Sequence, residues 1–323
     1  MLPPRRQLRV CFAHPAYQLA PRFALRESAI THLQVHTVQE LADELPHADV
    51  LVVSLLWKND LVRLANRLKF IQAIGAGIDQ FDQVLLAARG VRLANAAGVS
   101  AQAVAEHAMA LMLALARHLH TGRDNQANMH WRGMISDTSL REQELGGKTL
   151  LIIGLGQIGA RLAKLAKAFG MRVVAVRRDV SRGAPNDVDS VGGHDQIPAL
   201  LPSADVIVLT CPLTPDTENL IDASALAAMK PSAHLINVAR GRIVDEDALI
   251  EALRAGRLAA AALDVTREEP LPQASPLWTM PNVLITPHKA GETQRTEDGV
   301  IDILLDNIER LWRGETVLRN QIV

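Results

Sequence analysis

Thr149-Leu150-Leu151-Ile152-Ile153-Gly154-Leu155-Gly156-Gln157-Ile158-Gly159 is the segment on which the fold turns. An apolar strand runs into Gly-x-Gly-x-x-Gly, and the residues from Gln157 to Phe169 read as a helix. A strand, a glycine turn and a helix in that order form the unit that cradles a dinucleotide pyrophosphate. Gly154 allows the tight turn, Gly156 lets the backbone approach a phosphate, and Gly159 lets the helix pack closely on the strand. The helix that opens at Gln157 and Ile158 then offers unpaired N–H groups to the anion. The competing reading is a strand–helix turn with no ligand.

Outward from this segment, short apolar runs alternate with helical patterns along nearly the whole chain, which predicts an α/β fold with parallel sheets. Strands are expected at Leu8–Ala13, Val50–Ser54 and Phe70–Ile74, then at Thr149–Ile153, Arg172–Val176, Asp205–Thr210, His234–Val238, Ala260–Leu263 and Val283–Thr286. Ala101 to His120 reads as one long buried helix, and Thr121 to Glu144 as a polar connecting or subunit-contacting arm. Asp245 suits an N-cap and Gly256 a C-terminal stop for a helix between them. No internal repeat or low-complexity tract stands out. The last helix carries Val300, Ile303, Leu304, Ile308 and Leu311 on one face and is expected to pack back on the first part of the chain. Two Rossmann-like or flavodoxin-like domains follow. Residues 99–289 form a dinucleotide-binding domain inserted into a discontinuous substrate domain of 1–98 plus 290–323, with a cleft at the crossings.

The 323 residues suffice for two domains, and 48% hydrophobic with 21% charged residues describes a folded globular chain. A formal net charge of -1 with no long block of one sign gives no reason to expect nucleic acid or an anionic membrane as partner. The most apolar long segment is interrupted by Glu106, His107, Arg117 and His118, which excludes a membrane span there. Cys11 and Cys211 are read as two buried reduced thiols rather than a bridge, and no signal peptide is evident, so a cytoplasmic protein is expected. No metal site is expected.

The end of the second strand of the glycine-loop domain bears on which dinucleotide binds. An NAD site places a carboxylate there to meet the ribose hydroxyls. This chain has Arg177 directly after the strand, followed by Arg178, with Arg182 nearby. A guanidinium there would take a 2′-phosphate, which predicts a preference for NADP(H) with NAD(H) possible. The alternative is an exposed basic loop with Asp179 as the ribose acid.

Three late segments each set a reactive residue beyond a strand: Asn237-Val238-Ala239-Arg240-Gly241, Leu263-Asp264-Val265-Thr266-Arg267-Glu268-Glu269-Pro270 and Thr286-Pro287-His288-Lys289-Ala290-Gly291. The carboxyl ends of parallel strands line the ligand crevice. Arginine, carboxylate and histidine converging there suit keto-acid reduction, which needs a carboxylate anchor, a proton donor and a group to tune the donor.

With Gly154–Gly159, Cys211-Pro212-Leu213-Thr214-Pro215 and Val244-Asp245-Glu246 added in order, the sequence resembles the D-isomer-specific 2-hydroxyacid dehydrogenase family over nearly its whole length. The resemblance implies His288 as general acid in reduction and base in oxidation, with Glu269, rather than the adjacent Glu268, holding that imidazole and stabilising its charged form. It implies Arg240 as the group that binds the substrate carboxylate and polarises the keto oxygen, and the backbone N–H groups of Ala76 and Gly77 as the rest of the carboxylate cradle. Asp264 resembles the residue that fixes the nicotinamide carboxamide, with Val238 and Ala239 nearby. Cys211, Pro212, His288 and Gly291 fall at cofactor-lining positions. His107 is read as a hydrogen-bonded core histidine. Trp57 and Trp131 are read either as pocket-lining residues, Trp131 from a partner subunit, or as plain packing.

Within the family, the arginine after the second strand resembles the NADPH-preferring glyoxylate and hydroxypyruvate reductases, which makes those two keto acids the expected substrates and a homodimer the expected assembly. A long phosphoglycerate dehydrogenase would carry a regulatory domain after the core, which is not expected here, while a short form stays open. Formate and phosphite dehydrogenases share the fold without a specific sign in this sequence. The reading from another class is an NAD(H)-sensing, corepressor-like binding module, against which the complete Arg240, Glu269 and His288 set argues.

Overall fold

Val50–Val53 is apolar at every position, which suits a strand covered on both faces rather than one with a wet side. A computed structural model describes residues 2–323, with the side chains of Ser139 and Arg182 outside the described residues. The chain separates into two units, one running through Ser100 and resuming over Glu292–Val323, the other spanning Ala101–Gly291.

In the first unit the strands are β1 (Arg9–Ala13), β2 (Thr31–Val35), β3 (Val50–Val53), β4 (Phe70–Ala73) and β5 (Arg92–Ala94). Their order is β2-β1-β3-β4-β5 with every pair parallel, the flavodoxin-like doubly wound arrangement. Alternate side chains go to opposite faces. Val10, Phe12, Val52 and Phe70 pack with Phe23 and with Val300, Ile303, Leu304 and Ile308 of the helix Thr296–Trp312, so the late helix returns to the first sheet as its apolar stripe implies. On the other face Cys11, Leu51, Val53 and Ile71 meet Leu41, Leu45, Trp57 and Leu86.

A buried polar seam fixes this return. Asn307 donates to Gln72 Oε1 at 3.2 Å and to the Arg319 carbonyl at 3.1 Å, and accepts from the Arg319 amide at 2.7 Å. Residues beyond it exchange hydrogen bonds with Leu93 and form an antiparallel bridge from Gln321 to Ala94, covering the open edge of β5.

In the second unit the strands are β6 (Thr149–Ile153), β7 (Arg172–Val176), β8 (Ser190–Gly192), β9 (Val206–Leu209), β10 (His234–Asn237), β11 (Ala260–Leu263) and β12 (Val283–Ile285). The all-parallel order β12-β11-β10-β9-β6-β7-β8 reverses between β6 and β9, which is where an open α/β sheet holds its ligand. Leu150 and Ile152 pack with Ala105, Ala108 and Met112 and with Leu162 and Ala166, whereas Leu151 and Ile153 pack on the opposite face with Leu226, Leu249 and Leu253.

Three strands lie outside the expected set: β2, β5 and β8. All flank a sheet, and β5 and β8 have three residues each, too few to show alternation. The expected helix Ala101 to His120 is two helices, Ala101–Ala116 and Leu119–Ala127. His118 breaks it with a left-handed φ of 51°, and the second helix buries no residue, so no apolar stripe holds the two in line. The polar arm is therefore helical at its start. Trp57 belongs to the core at 3% exposure, its ring against Phe81 and its Nε1 donating to Asn59 Oδ1 at 2.9 Å, which leaves packing as its role. Cys11 is buried, Cys211 half-buried, and neither is bridged. Among the described residues no helix is long and apolar enough to cross a membrane, and no cluster of three or more His, Cys, Asp or Glu could hold a metal ion.

Candidate active site

The glycine loop is shaped by backbone contact at two of its three glycines. Gly154 has φ +112°, and a Cβ on it would stand 2.4 Å from the Cys211 amide nitrogen, because β6 and β9 lie side by side. A Cβ on Gly159 would stand 2.5 Å from the Gly154 carbonyl oxygen. Gly156 differs. Its backbone is extended, and a Cβ there would meet nothing within 4 Å. Protein packing thus gives no reason for glycine at 156. What a side chain would fill is the open space at the start of the helix Gln157–Ala168, whose first turn bond runs from Ala160 N to Gly156 O. The amides of Gln157, Ile158 and Gly159 have no acceptor within the helix. A bare backbone and unspent donors at a helix N-terminus fit a pyrophosphate.

After β7, Arg177 is half-buried. Its amide donates to the Gly192 carbonyl at 3.1 Å and its Nη2 to the Gly183 carbonyl at 2.6 Å, while its Nε is buried without a partner among the described residues. Arg178 is exposed, and the Arg182 side chain lies outside the described residues. Asp179 caps the turn that follows, accepting from the Ser181 amide at 3.0 Å and the Ser181 hydroxyl at 2.6 Å. The one carboxylate near the strand end is thus engaged locally.

Beyond β10, β11 and β12 the reactive residues come together. His288 Nδ1 lies 2.6 Å from Glu269 Oε2, and Glu269 Oε1 accepts from the Thr266 amide at 3.1 Å. Burial raises the Glu269 carboxyl, but its hydrogen bond to His288, the charge there, the Thr266 amide and the charge of Arg240 outweigh it, leaving the group below its ordinary value. An ionised Glu269 accepts only, so Nδ1 donates to it, and Nε2 is the ring nitrogen left to exchange a proton. Glu268 takes no part, its carbonyl accepting from the Thr266 hydroxyl at 2.7 Å. Arg240 closes a turn tied by Asn237, whose Nδ2 donates to Arg240 O at 2.9 Å and whose Oδ1 accepts from Ala239 N at 3.0 Å. Next to it, a Cβ on Gly241 would overlap the Thr266 carbonyl at 1.9 Å, so glycine is what lets the arginine turn sit against the Glu269 segment.

Asp264 organises this strand end. It is 2% exposed, and its Oδ1 accepts from the Thr286 hydroxyl at 2.6 Å and the Lys289 amide at 3.0 Å, its Oδ2 from the Ala290 amide at 3.0 Å. Its carbonyl accepts from the His288 amide at 2.7 Å. His288 has φ +51°, a conformation uncommon for a residue other than glycine, and these amide bonds on either side hold it there. His107 enters the same network, with Nε2 3.0 Å from Thr286 Oγ1. Because the Thr286 hydroxyl donates to Asp264, His107 must donate to Thr286, which fixes its Nε2–H tautomer. Burial lowers the His107 value, Asp264 raises it, and Lys289 lowers it. The core-histidine reading thus gains a hydrogen-bond partner that reaches Asp264. Thr286, Asn237 and Gly241 were not singled out from sequence as working residues. The one signal available was their place inside the three strand-end segments.

Val238 and Ala239 are buried, Gly291 is half-buried and Pro212 is exposed, with its carbonyl accepting from the Thr217 hydroxyl at 2.7 Å. Burial pushes the Cys211 thiol up to about 11, which leaves it an unreactive neighbour of the glycine turn. Ala76 and Gly77 belong to the first unit, in the loop that follows β4.

A glycine turn at the sheet's reversal point, with a His–Glu pair beyond the neighbouring strands, defines a dinucleotide-binding α/β domain as the class. Residues 109–290 match the family described as D-isomer specific 2-hydroxyacid dehydrogenase, NAD binding domain, and the chain belongs to that family. It is 39% identical to the D-3-phosphoglycerate dehydrogenase of Methanocaldococcus jannaschii over 86% of this chain, and it spans about half of that relative's length, 52%. It is 36% identical to the glyoxylate reductase of Aeropyrum pernix, covering 79% of this chain and 77% of that one. Among solved structures it is similar to the NADPH-dependent glyoxylate/hydroxypyruvate reductase of Sinorhizobium meliloti in complex with NADP and malonate, at TM-score 0.81 and 26% identity, covering 98% of this chain and 97% of that one.

Proposed function

We propose that the chain reduces small 2-keto acids, glyoxylate and hydroxypyruvate first, to 2-hydroxy acids with NADPH in preference to NADH. The observation that carries this reading is the 2.6 Å pairing of His288 Nδ1 with Glu269 at the carboxyl end of the sheet that also bears the glycine turn. A nicotinamide dinucleotide supplies the hydride when bound. Gly154 and Gly156, with the amides of Gln157, Ile158 and Gly159, hold its pyrophosphate. Val238, Ala239, Cys211, Pro212 and Gly291 line its site, and one lone pair of Asp264 Oδ2 remains to fix its carboxamide.

His288 delivers a proton from Nε2 to the keto oxygen in reduction and takes it back in oxidation, while Glu269 keeps the ring oriented and balances its charge. Arg240 binds the substrate carboxylate and polarises the keto oxygen. Ala76 and Gly77 of the first unit, the substrate domain in this reading, offer amide donors to the same carboxylate. The NADPH preference rests on Arg177 and Arg178, on the orphaned Nε of Arg177 and on the local engagement of Asp179. The NADP complex of the similar Sinorhizobium meliloti reductase supports the same cofactor. We infer a cytoplasmic location, where thiols such as the unbridged Cys11 and Cys211 stay reduced.

The test is absorbance at 340 nm with NADPH and NADH offered separately against glyoxylate, hydroxypyruvate, pyruvate and phenylpyruvate. NADPH is expected to be oxidised at least ~10-fold faster than NADH, since a charge-assisted pair to a 2′-phosphate is worth about 1.5–3 kcal/mol. Turnover that prefers NADH would sink the Arg177 argument alone. Dinucleotide binding with no keto acid reduced would put the binding module in place of the enzyme.

A second copy of the chain is the proposed partner. Residues 119–140 expose Leu119, Met129, Trp131, Met134 and Leu140, with Trp131 96% exposed, more apolar surface in one segment than a lone folded chain usually leaves open. Light scattering after gel filtration is expected to give twice the 35.1 kDa of one chain, and Trp131→Asp with Met134→Asp to give one. A wild-type mass of a single chain would end this reading.

A further inference from the structure

The loop after β4 is held by its carbonyls, and that decides where its amides point. The Gly75 carbonyl accepts from the Ala96 amide at 3.0 Å, and the Ala76 carbonyl accepts from Asn95 Nδ2 at 2.7 Å. Both peptide planes are trans, so the N–H of Ala76 is antiparallel to the Gly75 carbonyl and the N–H of Gly77 to the Ala76 carbonyl. With both carbonyls drawn to the 95–96 segment, two successive N–H groups face the other way. Neither donates to a protein acceptor among the described residues, and Ala76 is exposed. Adjacent unspent amides of this kind make an anion-binding concavity.

Asn95 itself is clamped. It is buried, its Oδ1 accepts from the Ala97 amide at 3.1 Å, its amide donates to the Asn320 carbonyl at 3.1 Å, and its carbonyl accepts from Asn320 Nδ2 at 3.3 Å. Asn320 Nδ2 also reaches the Ala97 carbonyl at 2.8 Å. The side chain therefore has one orientation, with Nδ2 toward Ala76, because Oδ1 is committed to an N–H donor.

We propose that Asn95 is a positioning residue for substrate selection. By holding the Ala76 carbonyl it aims the Gly77 amide at a carboxylate, beside the Ala76 amide that the Gly75 carbonyl orients, so that the site takes 2-keto acids and discriminates against aldehydes and ketones without an adjacent carboxylate. This rests on the assignment of Ala76 and Gly77 as carboxylate donors made above. Asn95→Asp keeps the acceptor that Ala97 uses but sets an oxygen against the Ala76 carbonyl, which turns the peptide plane away. Asn95→Ala removes the donor with less change of charge.

For both variants the KM of the reduced keto acid and the dissociation constant of oxamate, an unreactive carboxylate isostere, are expected to rise together about 10–100-fold. NADPH affinity measured by fluorescence should stay within about twofold, because the glycine loop is untouched. In the wild type, the backbone amide resonances of Ala76 and Gly77 should shift when oxamate is added to the dinucleotide-loaded protein. If those amides shift but both variants bind oxamate as the wild type does, the positioning role of Asn95 is wrong and the cradle stands. If the amides do not shift, the cradle is wrong and Asn95 loses its role with it.

Discussion

A His288→Asn variant is expected to lose about 10²–10⁴ in kcat for keto-acid reduction, the usual contribution of a positioned general acid. Asparagine places an amide where Nδ1 stands, so the bond to Glu269 at 2.6 Å can persist while the Nε2 proton carrier disappears. The thermal midpoint should change little, since the His288 side chain is 47% exposed and belongs to no core cluster. Glu269→Gln separates charge from geometry. It retains an oxygen for the Nδ1 proton but removes the negative charge that balances the imidazolium, and kcat should fall roughly 10–100-fold, the worth of one charge-assisted hydrogen bond. Stopped-flow measurement of a single turnover reads the chemical step apart from product release. Retention of the single-turnover rate within about tenfold in His288→Asn would remove histidine from the proton-transfer role, whatever happened to steady-state kcat.

Much of this site was legible because it is written locally. A strand, a glycine turn and a helix follow one another within Thr149–Ala168, and each of Arg240, Glu269 and His288 stands a few residues past an apolar run. Parallel strands carry those ends to the same side of the sheet, so order along the chain was enough to bring the residues together. The elements that stayed hidden depend on distant partners. Thr286 matters through Asp264 and His107, 22 and 179 residues away, and Asn95 through Ala76 and Asn320. Thr31–Val35 alternates poorly because most of its side chains stay half-exposed. The break at His118 had no glycine or proline to announce it.

A short internal echo recurs in the two units. Ala48-Asp49-Val50-Leu51-Val52 and Ala204-Asp205-Val206-Ile207-Val208 open corresponding strands of the two sheets. In each the aspartate accepts from the first amide of the neighbouring strand, Arg9 at 3.0 Å and Thr149 at 2.8 Å, and is charge-paired with Arg67 or Lys230. Asp189, before β8, accepts from the amide of Val173, the second residue of β7, at 2.7 Å. A carboxylate before a strand satisfies a backbone donor that the ladder leaves unpaired.

Acid should begin to destabilise both units through buried histidines before the carboxylates titrate. His14 is 6% exposed, and its Nδ1 accepts from the amides of Tyr17 at 2.8 Å and Ala16 at 3.1 Å, with Tyr17 stacked on the ring. Protonation of Nδ1 would set a donor against two donors. Burial, with the charge of His36, pushes His14 down from 6.5 to about 4. His234, also 6% exposed at the start of β10, is pushed down to about 4 by burial and then by Lys148, His118 and His120. In both cases the folded state binds the proton less readily than the unfolded chain. The stabilisation is therefore fully present above pH 6.5 and is lost as the pH falls through that window to about 4. Each histidine corresponds to roughly 3 kcal/mol over the window, an order-of-magnitude figure from 1.36 kcal/mol per pKa unit. Two units need not unfold together, so hydrogen exchange at β1 and β10 is the measurement that reads each separately. His14→Asn keeps an acceptor for the two amides without a titrating ring, and should flatten the loss of protection at β1 between pH 7 and 5 while β10 still follows the wild type. His234→Asn should do the reverse. Parallel loss at both strands in all three proteins would show that neither histidine governs the acid limb.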